Sequence, residues 1–204
     1  MPLFLLRHEE REDSITCNTP LIEIGIKNSE TKTIKKCENV NIDTIYCSPF
    51  LRCMQTITPY AKKHKIQLNI EYGLMDILLK DFFNKDSNLK TPADLLKKYN
   101  VYNYYKYNSI YSEESLKKSI PENYRDLHYR IKNLMPKFMK KIKGDLKNNK
   151  NILLVSHCGI MLEILQFFGL PTRDLIIKKG DLINIESHIT DNYYVSLSKS
   201  KSKS

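Results

Sequence analysis

Short apolar runs predict the strands of this chain. Residues 2–6 and 152–155 are continuous apolar runs, and residues 42–47 form a third candidate that Pro49 stops. A weaker candidate covers residues 67–71. Because runs without polar alternation suit strands that are covered on both faces, they favour a parallel sheet.

Helical periodicity fills the intervals between these runs. Residues 22–38 and 50–64 are predicted helices, and apolar residues at helical spacing also follow Pro121 and Gly159. Strands that alternate with helices are typical of α/β domains. The pattern therefore predicts a doubly wound α/β fold, with a mostly parallel sheet and helices on both faces.

Three segments depart from this alternation. Residues 77–120 are rich in Lys, Asn and Tyr and are predicted to be an insertion, either a cap over the site or a surface excursion. Residues 181–187 and 192–197 predict a final hairpin. Residues 198–204 alternate Ser with Lys, which predicts a disordered tail. We therefore expect one domain over residues 1–197.

Charge and cysteine content narrow the cellular setting. The net charge of +10 favours anionic partners such as nucleic acid, acidic lipid or phosphorylated molecules, but it also fits a solvated lysine coat. The odd count of five cysteines fits no disulfide framework or zinc site, which predicts a reducing compartment. With neither a membrane-length apolar run nor a signal peptide, the expected location is the cytoplasm, with the nucleus left open.

Reactive side chains follow three of the predicted strands. Arg7 and His8 come after the first strand, Ser156 and His157 come after the strand near the C-terminus, and Arg52 falls in the first turn of a helix that follows a strand. Since ligands bind beyond the carboxyl ends of parallel strands, we expect these side chains to converge. A histidine among arginines predicts a phosphate pocket that contains a nucleophile.

The segments around these residues carry a more specific signal. "LLRHEERED", "TPLIEIGIKNSE", "IYCSPFLRCMQT", "IEYGLMDIL" and "ILLVSHCG" occur in this order. Together they resemble the histidine phosphatase superfamily, also called phosphoglycerate mutase-like, over nearly all of the chain except the insertion and the tail. Arg11 with Asp13, and Leu74 with Asp76, resemble more narrowly the phosphatase domain of the suppressor-of-T-cell-receptor-signalling proteins.

The resemblance implies a metal-independent phosphatase of the histidine acid type, with no cofactor. His8 would be the nucleophile and form a phosphohistidine, and Asp76 would be the general acid. The side chains implied to bind the phosphoryl group and offset its charge are Arg7, Arg11, Arg52 and His157. The expected partner is a phosphorylated small molecule or phosphoprotein. Nucleic acid is not expected, and a homo-oligomer is left open.

Two departures from the family pattern keep other functions open. Glu9 stands where the family has glycine, and it either faces outward or repels the substrate. Asp76 replaces a glutamate. One alternative is a weakly active or inactive module that binds phosphorylated ligands.

Two further enzyme classes match the sequence less well. One is mutase-type phosphoryl transfer, although mutases of this superfamily keep a tryptophan after the histidine and this chain has none. The other is a cysteine-dependent phosphatase, which needs five residues between Cys and Arg. Only four separate Cys47 from Arg52.

Overall fold

A five-stranded sheet forms the centre of the described residues. The computed structural model describes residues 3–81, 83, 93–99, 101 and 108–185. The strands are β1 Leu3–Arg7, β2 Thr44–Cys47, β3 Leu68–Ile70, β4 Ile152–Ser156 and β5 Leu182–Asn184. Their order across the sheet is β3-β2-β4-β1-β5. The first four pair in parallel and β5 pairs antiparallel with β1, so the predicted mostly parallel sheet is confirmed.

Helices connect these strands much as the periodicity predicts. They are α1 Glu23–Asn28, α2 Ile34–Glu38, α3 Leu51–His64, α4 Ala93–Lys98, α5 Glu113–Lys117, α6 Tyr124–Lys147 and α7 Cys158–Phe167. A π-helical segment, Ser29–Thr33, joins α1 to α2, and a 3₁₀ turn, Tyr72–Leu74, follows β3. None of the helices described is both long and apolar enough to cross a membrane.

The longest of the described helices, α6, begins three residues after Pro121, within the stretch where the sequence predicts helical spacing. The side chain of Asn123 accepts hydrogen bonds from the backbone N–H groups of Arg125 and Asp126, and the Asp126 carboxylate accepts one from the Asn123 N–H in return. This reciprocal capping satisfies backbone donors that would otherwise lack partners at a helix start. The cap therefore sets the first residue of α6.

Buried side chains cover both faces of the sheet. In β1, Leu3 and Leu5 pack in the cluster that contains α6 and α7, whereas Phe4 and Leu6 pack in the cluster that contains α3. All four are at most 4% exposed. Burying an apolar side chain of this size stabilises a fold by about 1.5–3 kcal/mol. The predicted helices on both faces are confirmed by this alternation.

Some of the described residues in the range 77–120 pack near the start of α3. Phe83, Leu116 and Ile120 are buried in one apolar cluster with Phe50, the residue that precedes α3. This packing brings part of the predicted insertion next to the carboxyl edge of the sheet. Its role as a cap stays a prediction.

The C-terminal part of the fold is described as far as residue 185. β5 lies within the first arm of the predicted hairpin and pairs with β1. The second predicted arm, residues 192–197, and the predicted tail, residues 198–204, lie outside the described residues.

Candidate active site

The carboxyl edge of the sheet brings together residues from four parts of the chain. His8 follows β1 and His157 follows β4, and their ring centroids are 5.3 Å apart. Arg52 lies in the first turn of α3, and its Nη2 is 3.1 Å from Oδ2 of Asp76. The same carboxylate oxygen is 3.4 Å from His157 Nδ1. Because β1, β4 and β2 are parallel neighbours, their ends meet at one edge, as the sequence predicts.

His8 is buried and oriented by the backbone. It is 3% exposed, and its Nδ1–H donates to the carbonyl oxygen of Glu9 at 2.7 Å. Burial, followed by the electrostatic effects of His157 and Arg52, lowers the pKa of His8 well below its ordinary value. The ring is therefore neutral at neutral pH, and the lone pair is on Nε2. A neutral imidazole with a free nitrogen is the form that can attack phosphorus.

His157 lies between a hydroxyl and a carboxylate. Its Nε2 is 3.0 Å from Ser48 Oγ, and its Nδ1 faces Asp76. Burial, followed by the charge of Arg52, lowers the pKa of His157 well below its ordinary value despite the nearby carboxylate. We therefore assign a neutral ring that carries its proton on Nδ1, the nitrogen facing Asp76, and whose Nε2 accepts from Ser48. In this state the arginines, and not His157, supply the positive charge.

Two guanidinium groups have buried donors without partners in the described part of the chain. Arg52 is 1% exposed, and its Nη1 donates to the Thr16 carbonyl at 2.8 Å. Arg7 donates through Nη1 to the Ile177 carbonyl at 2.5 Å. The Nε atoms of both arginines are buried and find no acceptor among the described residues. Since a buried donor without a partner is costly, these two groups suit an anion that supplies acceptor oxygens.

Arg11 lies beside this cluster. Its Nη1 donates to the carbonyl oxygens of Glu12 and Ser14, the latter at 2.7 Å, so its hydrogen bonds stay within its own loop. Burial is the main cause of the lowered pKa values of Arg52 and His157, and the charge of Arg11 adds a smaller contribution to both. The structure therefore places Arg11 within electrostatic range of the site.

Glu9 is turned into the protein. It is 3% exposed, and its carboxylate accepts hydrogen bonds from Thr33 Oγ1 at 2.7 Å and from Asn28 Nδ2 at 3.4 Å. Gly180 packs on this carboxylate at φ +73°, where an added Cβ would lie 2.3 Å from Oε1. Of the two alternatives predicted for Glu9, the outward-facing side chain is therefore wrong. The side chain ties the residue after His8 to the helical stretch that contains Thr33.

The buried cysteines do not favour thiolate chemistry. Cys53 Sγ is 3.4 Å from His157 Nε2, yet burial raises the pKa of Cys53 to about 12. Burial also raises the pKa of Cys47 well above its ordinary value. Since the thiolate is the reactive form, neither thiol is suited to act as a nucleophile near neutral pH.

Sequence reasoning missed two contributors to the site. Ser48 belongs to the quoted Ser-Pro-x-x-Arg block, but its contact with His157 was not expected. Arg130 contacts the backbone around Asp76 from α6. A signal for it was present, because Arg130 interrupts the apolar stripe between Leu127 and Leu134. A charged residue at such a position needs a buried partner.

Comparison with known families agrees with this geometry. A model of the histidine phosphatase superfamily (branch 1) matches residues 3–177. The chain belongs to the histidine phosphatase superfamily. The matched range contains every residue of the cluster described above, and the family predicted from the sequence motifs is confirmed. The narrower resemblance to suppressor-of-T-cell-receptor-signalling proteins stays a prediction.

Solved structures with this fold include several phosphatases. The ecdysone phosphate phosphatase of Bombyx mori, bound to tungstate, has a TM-score of 0.67 and 14% identity, over 90% of this chain and 88% of that one. The α-ribazole phosphatase of Shigella flexneri has a TM-score of 0.61 and 20% identity, over 91% and 90%. Phosphoserine phosphatase of Entamoeba histolytica has a TM-score of 0.58 and 18% identity, over 90% and 89%. At these identities the similarity shows the fold.

One curated sequence relative belongs to a transcription factor. The chain is 24% identical over 191 residues to the transcription factor tau 55 kDa subunit of Saccharomyces cerevisiae. The alignment covers 89% of this chain and 41% of that subunit. The chain therefore spans less than half the length of this relative.

Proposed function

We propose that this histidine phosphatase superfamily member hydrolyses phosphomonoesters through a phosphohistidine formed on His8. The observation that carries the proposal is a buried, neutral His8 beside Arg7 and Arg52. Within the part of the chain that the structure describes, His8 Nε2 and the Nε donors of both arginines have no hydrogen-bond partner. Superfamily membership supports it. So does the tungstate bound to the Bombyx mori phosphatase, since tungstate is a tetrahedral oxyanion like phosphate.

In the first step, His8 Nε2 attacks phosphorus and the bond from phosphorus to the leaving oxygen breaks. The arginines bind the equatorial oxygens and stabilise the negative charge of the transition state. Asp76 protonates the leaving oxygen. Its side chain is 29% exposed, whereas that of Arg52 is 1% exposed, so the carboxylate lies at the open side of the site where an alcohol would depart.

In the second step, water attacks the phosphohistidine. Asp76, now ionised, accepts a proton from the water as the new oxygen–phosphorus bond forms. The phosphorus–nitrogen bond then breaks and returns neutral His8 and inorganic phosphate. The Nδ1–H bond to the Glu9 carbonyl holds the ring in one tautomer through both steps.

Turnover of a panel of phosphomonoesters in excess EDTA tests this proposal. We expect release of inorganic phosphate at an undiminished rate, because the guanidinium groups supply the positive charge. Activity that disappears in EDTA and returns with a divalent cation would contradict the metal-independent mechanism. For phosphoglycerates, ³¹P NMR separates released phosphate from an isomerised product, which would indicate a mutase.

The pH profile of kcat/KM provides a second test. The nucleophile must be neutral, and the pKa of His8 is lowered by burial and neighbouring positive charge. A lowered pKa extends the neutral form toward acid, so we expect the acidic limb well below 6.5. The substrate phosphate itself titrates at about pH 6. Its ionisation is therefore measured by ³¹P NMR, and the profile of kcat/KM is corrected for it. An enzyme limb at or above 6.5 would contradict a neutral buried nucleophile.

A phosphate-recognition module is the second candidate function. The curated relative is named as a subunit of a transcription factor, so it belongs to a larger protein assembly. The similarity to such a subunit favours a recognition role. The same EDTA experiment separates the two functions. Tungstate binding without any turnover of the panel would support the recognition module and contradict the phosphatase.

A further inference from the structure

A buried ion pair lies directly behind the segment that carries Asp76. Arg130 of α6 and Glu122 are each 4% exposed. Arg130 Nε donates to Glu122 Oε1 at 2.7 Å, and Arg130 Nη2 donates to Glu122 Oε2 at 2.8 Å. This two-point geometry fixes the guanidinium plane relative to the carboxylate. Removing one partner would leave a buried charge uncompensated, so the two residues act as a unit.

The remaining donors of Arg130 go to backbone carbonyls. Nη1 donates to Gly73 at 2.8 Å and to Met75 at 2.9 Å, and Nη2 donates to the carbonyl oxygen of Asp76 itself at 3.1 Å. A guanidinium has five N–H donors. With the two bonds to Glu122, these three contacts use all of them.

Glu122 holds the other side of the same segment. Its Oε2 accepts a hydrogen bond from the Leu78 N–H at 3.1 Å, and its own N–H donates to the Leu78 carbonyl at 2.8 Å. Asp76 is thus flanked by backbone contacts on both sides. Its carboxylate extends to Arg52 and His157, where small displacements would change the reach of a short acidic side chain.

We infer that Arg130, together with Glu122, is a positioning residue for the general acid Asp76. The inference rests on the proposed phosphatase function. Asp76 is one methylene shorter than a glutamate, so its reach to the leaving oxygen depends on where the backbone is held. Arg130 sets that position by binding the carbonyls of residues 73, 75 and 76.

Lysine is the informative replacement for Arg130. It keeps the positive charge but has three donors at one point, and it cannot bind the carboxylate and three carbonyls together. Arg130→Lys therefore removes the hydrogen-bond geometry of the guanidinium while keeping its positive charge. The charge has to be kept because, after burial and Arg52, it also contributes to the lowered pKa of His157. Arg125→Lys is the matched control, because Arg125 lies exposed on the same helix.

The test compares two leaving groups. For p-nitrophenyl phosphate the departing phenolate needs little protonation, whereas glycerol 2-phosphate needs a proton from Asp76. We expect Arg130→Lys to lower kcat for glycerol 2-phosphate at least about tenfold more than for the aryl ester, the scale of general acid catalysis being about 10²–10⁴-fold. Asp76→Asn should show the same selectivity, and the double variant should add little to it. Equal losses on both substrates, or additive losses, would overturn the inference.

A second readout does not need turnover. The ¹⁵N chemical shift of His157 Nδ1 reports its contact with the Asp76 carboxylate. We expect Arg130→Lys to move this shift in the same direction as Asp76→Asn, with Arg125→Lys unchanged. An unmoved shift in a folded Arg130→Lys would overturn the positioning role, even if the wild type turned over no substrate and the proposed function failed.

A milder variant covers the case in which Arg130→Lys does not fold. Glu122→Gln keeps the side-chain shape and one acceptor oxygen while removing the charge. Circular dichroism and thermal unfolding identify the folded variants. A folded Glu122→Gln with wild-type leaving-group selectivity and an unmoved His157 shift would contradict the inference, and a selective loss with a moved shift would support it.

Discussion

His8→Ala is expected to abolish turnover while the protein stays folded. Removal of a covalent nucleophile lowers kcat by about 10⁴-fold or more, because water must then attack the ester directly. The variant should form no phosphoenzyme. In the wild type, rapid quenching in alkali after mixing with ³²P-labelled substrate should trap an alkali-stable, acid-labile label on Nε2, since Nδ1 is committed to the Glu9 carbonyl.

His128→Ala is the matched control for His8→Ala. His128 is exposed on α6 and forms a 2.9 Å contact with Glu163, so its loss should leave turnover and labelling unchanged. Label that survives acid, or that persists in His8→Ala, would show that another residue carries the phosphoryl group. Binding of tungstate to His8→Ala would show that loss of activity is not loss of the anion site.

The positions of the site residues that follow strands could be predicted, because the topology of a parallel sheet determines at which edge the strands end. In a parallel sheet the carboxyl ends of neighbouring strands lie at one edge, and this alone brings His8 and His157 together. Arg52 follows from the same argument, since it sits in the first turn after β2. Asp76 was predicted from the family resemblance of Leu74 and Asp76 and not from topology. In the structure a 3₁₀ turn separates it from β3, a short strand at the sheet edge.

The orientation of side chains in loops could not be predicted in this way. Glu9 lies beyond the end of β1, where the alternation of a strand no longer specifies a face. Its direction is set by Thr33, in a π-helical segment, and by the space beside Gly180. The contacts of Arg130 with the Asp76 segment likewise join residues far apart in sequence. The apolar stripe of α6 indicates that Arg130 is buried and needs partners, but it does not indicate which residues those partners are.

Arg52→Ala is expected to lower kcat by about 10²–10³-fold with a smaller change in KM. The reason is that its contacts to the phosphoryl oxygens strengthen as negative charge shifts in the transition state, and loss of one such donor costs this much. Arg52→Lys should retain part of the activity, because it keeps the charge but not the planar fork of donors. Arg173→Ala, at an exposed position, is the control and should match the wild type.

Vanadate inhibition distinguishes the transition-state role of Arg52 from a ground-state one. Pentacoordinate vanadate resembles the transition state of phosphoryl transfer, so its affinity should fall in Arg52→Ala by about the same factor as kcat/KM. Inorganic phosphate, which resembles the ground state, should lose less affinity. If vanadate and phosphate weaken equally while kcat stays near the wild-type value, Arg52 contributes only uniform binding.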